Sequence, residues 1–184
     1  MGRPQLEMRI ESLDGVPEPP TAPAGYALRT YREGDAPAWC RLVAEGIGGE
    51  YRPEGFLEQI SDADGFDPKS LFFAVDGAGE PVGTACAIHR RPYPPEMGYV
   101  HMVAVDPAHR GRGLGRLLLV AVLRRMRDKG DRAAVLTTDD FRLPAISLYL
   151  SLGFRPSLTH ESHPERWREV YRRLGRIWSL SEQA

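Results

Sequence analysis

VAVDPAHRGRGLGR, Val103 to Arg116, runs from an apolar stretch through Pro107 into three glycines set among arginines. The segment before it, Tyr99–Val105, is apolar at every position except Tyr99 and His101, as a buried central strand requires. Pro107 ends that strand. Residues 113–129 then read as a long helix that is apolar almost all round (Leu117, Leu118, Leu119, Val120, Val122, Leu123) and closed by Gly130. Glycines between a strand and a helix let the backbone aim several N–H groups at one point. The helix N-terminus adds unpaired N–H groups and a positive dipole end, and Arg110, Arg112 and Arg116 add mobile charge. Chemically this is a diphosphate cradle. The competing reading is a tight turn with solvated arginines.

Known phosphate motifs narrow the choice. A P-loop needs Lys-Ser or Lys-Thr after its glycines, and none follows here. The dinucleotide fingerprint GxGxxG fails as well, because counting from Gly111 its third glycine falls on Arg116. ATP and NAD are both disfavoured.

The rest of the chain sets the frame. It has 184 residues, 42% of them hydrophobic, which favours one domain with a substantial core. The net charge of −1 gives no global attraction to nucleic acid or membrane. Two cysteines, Cys40 and Cys86, form neither a disulfide framework nor a metal motif, so a reducing cytoplasm is expected and no metal site is. No apolar run is long enough to span a bilayer. Residues 1–24 carry five prolines and read as an irregular arm, with Met8–Ile10 able to add a short edge strand. Strands are expected at YALRTY, SLFFAVD, PVGTACAIHR, EMGYVHMVAVD, RAAVLTTD and FRPSLTH. Helices are expected after Asp35, a candidate N-cap, at RPEGFLEQI, at 113–129, at PAISLYLSLG and at PERWREVYRRLG. This order predicts a mixed α/β sheet with helices on both faces.

With RGRGLG and VAVDP in view, a second stretch completes a resemblance. AISLYLSLGF, Ala145–Phe154, lies about thirty residues downstream of the glycines. The first stretch resembles the R/Q-x-x-G-x-G/A signature, and the second the A-x-x-L-Y-x-x-x-G-F signature, of the GNAT superfamily of acyl-CoA-dependent N-acyltransferases. The resemblance implies a mostly antiparallel mixed sheet of six to seven strands, and acetyl-CoA as co-substrate. It covers about residues 26–156 and suggests three parts: the arm 1–24, a GNAT-like domain 25–159 and a helical extension 160–184.

Roles follow residue by residue from the resemblance. The backbone N–H groups of Gly111, Arg112, Gly113, Leu114, Gly115 and Arg116 would bind the pyrophosphate of coenzyme A, with the Arg110 side chain fixing the loop. Val103 and Val105 match positions that pair with the pantetheine arm, and the Val103 N–H would stabilise the thioester oxyanion. Tyr149 matches the general acid, a phenol of pKa ~10 able to protonate a departing thiolate. Its competing reading is core packing. The family often carries Asn where this chain has Arg142, which becomes a candidate for the 3′-phosphate or an acceptor carboxylate.

The base is left between candidates. Strand alternation puts Tyr99, His101, Val103 and Val105 on one side, which brings His101, with an ordinary pKa of ~6.5, near the thioester. The alternative is a hydrogen-bonded strand histidine. Glu96, Asp139 and Asp140 are reserves, Asp140 also as a helix cap. Seven acidic residues (Glu45, Glu50, Glu54, Glu58, Asp62, Asp64, Asp67) face one base between 45 and 67, whereas eight Arg/Lys and two Asp fall within 109–132. This pattern fits an amine acceptor opposite an anionic donor, though solvated helix faces explain it too. The expected activity is acetyl transfer from acetyl-CoA to a primary amine in a small molecule or peptide, by direct attack. The alternative is a CoA-binding protein of this fold with little or no turnover, serving as a sensor or interaction partner. Trp167, Val170, Tyr171 and Leu174 form one apolar helix face, offered to a second subunit in a homodimer.

Overall fold

The computed structural model describes residues 3–61 and 65–178. Seven strands form one sheet: β1 (Leu6–Ile10), β2 (Tyr26–Thr30), β3 (Leu71–Asp76), β4 (Pro81–Ile88), β5 (Met97–Val105), β6 (Ala133–Thr138) and β7 (Arg155–Ser157). Their spatial order is β2-β3-β4-β5-β6-β1-β7. Every neighbouring pair is antiparallel except β5 and β6. This is the mixed, mostly antiparallel sheet that the sequence predicts. Among the described residues five α-helices accompany the sheet: α1 (Ala36–Ile47), α2 (Phe56–Ile60), α3 (Leu114–Lys129), α4 (Leu143–Ser151) and α5 (His163–Arg173).

Two apolar cores lie on opposite faces of the sheet. One gathers α3, α4 and α5 over Val100, Ala134 and Leu136. The other gathers α1 and α2 over Phe73, Tyr99 and Val135. Helix α3 is buried from Leu117 through Leu123, which explains why its sequence lacks a polar face there. Helix α1 begins after Asp35, whose carboxylate does not cap the helix. It accepts instead from the Arg29 guanidinium at 2.6 and 2.8 Å and from the Arg32 N–H at 2.6 Å, a charge-assisted pair that draws the oxygens away from the helix amides.

Both ends of the chain depart from expectation. Leu6–Ile10 form an interior strand between β6 and β7, not an edge strand on an irregular arm, and Leu6 and Met8 are fully buried. Alternation within LEMRI was too short to distinguish an interior strand from an edge. The apolar face of α5 is covered by its own chain: Trp167, Val170 and Tyr171 are buried in the same core as Leu6 and Phe154. That face therefore gives no reason for a second subunit.

Helix α1 lies close on β5. A Cβ on Gly46 would stand 2.8 Å from the Cβ of Ala104. Gly46→Val should therefore push α1 off the strand. Overpacking of this kind costs about 1–3 kcal/mol, and urea unfolding should show a loss of that size. Unchanged stability would mean that α1 shifts freely on β5.

Candidate active site

The site arises where the sheet opens. Strands β5 and β6 pair only over Met97–Tyr99 and Ala133–Val135, and then part. On its other side β5 shifts register with β4: Thr84 opposes Ala104 and Cys86 opposes His101, leaving two residues of β5 across from Ala85 alone. Met102 takes a left-handed conformation there, at φ 51°. This is a β-bulge, which bends a strand and re-aims the side chains beyond it. A cavity of about 700 Å³ fills the opening, lined by β5, the end of β6, the first turns of α3 and α4, and Tyr51.

The bulge overturns the expected alternation. Tyr99 and Met102 face the α1–α2 core, while Val100, Val103 and Val105 face the α3 core. His101 keeps the Tyr99 side, its ring 5.9 Å from the Tyr99 ring and its Nε2 donating to the Gln59 carbonyl at 2.9 Å. His101 and Val103 thus lie on opposite faces. Burial, reinforced by the Arg90 charge, lowers the His101 pKa to about 4. The ring is neutral at ordinary pH and is a far weaker base than a free imidazole.

The glycine turn has the form a phosphate cradle needs. Gly111 and Gly113 sit at φ 74° and 81°, and a Cβ on either would meet no protein atom within 4 Å. The first backbone bond of α3 runs from the Leu117 N–H to the Gly113 carbonyl. Among the described residues, the N–H groups from Gly111 to Arg116 find no carbonyl, so they remain directed at whatever enters the cavity. Arg110 Nε donates to the Val105 carbonyl at 3.1 Å, tying the turn to β5. Arg112 lies over the Tyr26 ring at 5.9 Å, and Arg116 reaches Ser151 Oγ at 3.3 Å. Leu114 is buried, and with Gly115 it lines the cavity wall toward Leu148.

On the facing wall stands Tyr149, buried and 6.0 Å from the Phe154 ring centroid. Burial pushes its pKa up to about 12 against the opposing charge of Arg142, so the phenol holds its proton. Thr138, on the same face of β6 as Leu136, also lines the cavity, and its buried hydroxyl has no partner among the described residues. Such a group is costly unless a ligand or water completes it. Sequence reasoning missed Thr138, Tyr51 and Arg90, because nothing local marks a side chain that lines a gap between strands.

Arg142 is not free for a ligand phosphate or carboxylate. Its guanidinium donates to Asp139 at 2.8 Å and to the Gly46 and Ile47 carbonyls at 3.2 and 2.7 Å. It therefore closes the C-terminus of α1 with a cation, where the helix dipole favours one. The reserve bases are also engaged or distant. Asp139 holds Arg142 and Gln5, Asp140 is paired with Arg166, and Glu96 is exposed. The acidic run does not line the cavity either. Asp67 pairs with Arg125 and Lys129, Glu45 with Arg41, and Glu50, Glu54 and Glu58 are exposed. Asp62 and Asp64 lie outside the described residues.

A sheet parted around a glycine cradle, with a buried phenol on the facing wall, is an arrangement that can receive a diphosphate-bearing ligand. Residues 36–154 match the Acetyltransferase (GNAT) family, and the chain belongs to that family. It is 35% identical over 156 residues to a mycothiol acetyltransferase of Salinispora tropica, covering 80% of this chain and 50% of the relative. A mycothiol acetyltransferase of Paenarthrobacter aurescens is 34% identical over 157 residues, covering 80% and 48%. The chain thus spans about half the length of those relatives. Among solved structures, a GCN5-related N-acetyltransferase from Sphaerobacter thermophilus superposes with a TM-score of 0.69 at 29% identity, covering 84% of this chain and 50% of that one. Enzymes of this family use acetyl-CoA as co-substrate. Among the described residues no group of three or more His, Cys, Asp or Glu is placed to hold a metal ion, and no helix is long and apolar enough to cross a membrane.

Two outcomes check this geometry. Gly113→Val would place a branched side chain at a left-handed position whose outward space the ligand needs, so calorimetry should show CoA affinity falling at least tenfold. A folded variant with unchanged affinity would refute the cradle. His101 should make stability pH-dependent. The unfolded ring takes up a proton below about pH 6.5, whereas the folded ring does so only near 4, so stability is full above 6.5 and falls between those values. The loss should reach roughly 2–3 kcal/mol by pH 4.5 and be absent from the difference profile of His101→Gln. Equal pH dependence in both proteins would show that the ring titrates freely.

Proposed function

We propose that this chain transfers the acetyl group of acetyl-CoA to a primary amine by direct attack, with Tyr149 as general acid. The observation that carries this reading is the convergence on one cavity of the unbonded amides at 111–116, the bulged segment Met102–Val103 and the Tyr149 phenol. The pyrophosphate meets the turn. The arm of the co-substrate lies along Val103 and Val105, with the Thr138 hydroxyl opposite. Since the bulge takes Met102 and Val103 out of register with β4, the Val103 N–H is our candidate donor to the thioester oxygen. Attack of the amine on the carbonyl carbon forms the new C–N bond and breaks the C–S bond. The proton of Tyr149 goes to the departing sulfur, and the proton that the nitrogen sheds as the amide forms restores the phenol, directly or through water.

His101 carries no proton-transfer step in this reading, because its environment makes it a weak base. The acceptor reacts from its neutral fraction, so the rate rises with pH toward the amine's own pKa. The relatives' names make mycothiol chemistry one place to look for the acceptor. Their greater length leaves that choice to experiment.

Tyr149→Phe isolates the acid. The change keeps the ring that packs on Phe154 and removes the hydroxyl, so CoA binding and the acetyl-CoA KM should stay near wild type. General acid catalysis is worth ~10²–10⁴-fold, and kcat should fall by an amount in or just below that range. Thiol release measured at saturating amine checks this. Full kcat in the variant would leave Tyr149 a packing residue.

A further inference from the structure

A second cavity, of about 350 Å³, adjoins the first on the side away from the glycine turn and shares Gln5, Arg90, Tyr99 and Thr137 with it. Both carboxylates in these walls are already engaged. Glu7, which is buried, accepts from Arg9 Nε and from the Tyr93 hydroxyl, each at 2.8 Å, so both its oxygens are occupied. Asp139 accepts from Gln5 at 3.1 Å and from Arg142 at 2.8 Å, so both of its oxygens are occupied too. Their cationic partners are satisfied in turn.

Arg90 differs. Its Cζ lies 5.2 Å from the centroid of the Tyr99 ring, and its exposed guanidinium forms no ion pair or hydrogen bond among the described residues. Of the four residues the cavities share it is the one that brings a charge, and no counter-charge meets it among the described residues; Arg91 adds a second cation at the rim of the smaller cavity. Its field reaches inward, since it helps keep the neighbouring His101 neutral. A guanidinium stacked on an aromatic face keeps its edge donors free for a carboxylate or phosphate. The phosphates of the co-substrate are not that anion. The length of β5 from Tyr99 to Val105, roughly 20 Å at about 3.3 Å per residue, separates Arg90 from the glycine turn.

Resting on the acetyl-transfer reading above, we propose that the acceptor carries, besides its amine, an anionic carboxylate or phosphate that docks on Arg90. Arg90 stands beside Tyr99, four strand positions from Val103, which puts the anion within about 13 Å of the attacked carbonyl. An acceptor of this class is a linear amino acid with a remote amine, a short peptide, or an amine with a phosphate tail. A simple cationic polyamine would meet only repulsion here.

The test uses three probes of matched length: 6-aminohexanoate, 6-aminohexanamide and 6-aminohexyl phosphate. In the wild-type chain with acetyl-CoA, kcat/KM for at least one anionic probe should exceed that for the amide by about tenfold or more. In Arg90→Gln this ratio should collapse toward one. Arg172→Gln, a distant exposed charge change, should leave the ratio intact. Whichever anionic probe gains more separates carboxylate from phosphate recognition. If no probe is acetylated, the proposed activity fails for these amines, and calorimetry on the CoA-loaded chain decides the docking claim alone. Binding of an anionic probe but not of the amide, lost in Arg90→Gln, supports it. Equal rates or equal binding for all three probes, or a preference that survives in Arg90→Gln, overturns it.

Discussion

The separation of β5 from β6 is the constraint on which the rest depends. Two parallel strands bonded over three residue pairs diverge after Tyr99 and Val135, and the bulge at Met102 turns β5 away from continued pairing. An open gap in a sheet leaves backbone groups unpaired and removes core contacts, which is unfavourable unless something fills it. The surrounding elements show how the gap is held. Arg110 ties the turn to Val105 on one lip, and Arg142 ties α4 to the end of α1 across the other. The Tyr99–Thr137 hydrogen bond, at 2.6 Å, links the strands at the point where they begin to part.

This frame sorts the charges around the cavity. The turn offers amide donors and arginines at one end. The strand end offers Arg90 at the other, with the carboxylates between them neutralised by internal pairs. Between the two ends the walls are Val103, Leu136, Leu148 and the Tyr149 ring, an apolar middle. A desolvated middle strengthens each hydrogen bond made within it and keeps the phenol protonated. The same desolvation weakens His101 as a base. One environment therefore favours an acid and disfavours a base, and the proposed mechanism follows that asymmetry.

Much of this was legible in the sequence, for identifiable reasons. The glycines and the long apolar helix encode the turn locally, through positive φ at Gly111 and Gly113 and the burial of Leu117–Leu123. Strand and helix positions followed from alternation and helical spacing. What escaped is non-local. Nothing in YVHMVAV announces a bulge at Met102, because methionine has no preference for a left-handed conformation, so the side assigned to every residue after it came out reversed. The role of Arg142 depends on where α1 ends in space. The place of LEMRI depends on an unfilled slot between β6 and β7, and the partner of α5 depends on that slot being filled.

The last of these dependencies joins the two ends of the chain to the site. With β1 seated beside β6, Gln5 reaches both Thr137 and Asp139, and Asp139 in turn orients Arg142. Arg166 of α5 clamps the Pro4 carbonyl at 2.7 Å and pairs with Asp140, one residue from that same network. The order of support thus runs from α5 to the N-terminal strand, to the β6–α4 loop, and through Arg142 to the end of α1. Removing Arg166 would free the Pro4 carbonyl and Asp140 together, even though Arg166 lies outside the cavity wall. The segments flanking the two motifs are structural supports of the cavity, and the motifs alone describe only the part of it around the glycine turn and Tyr149.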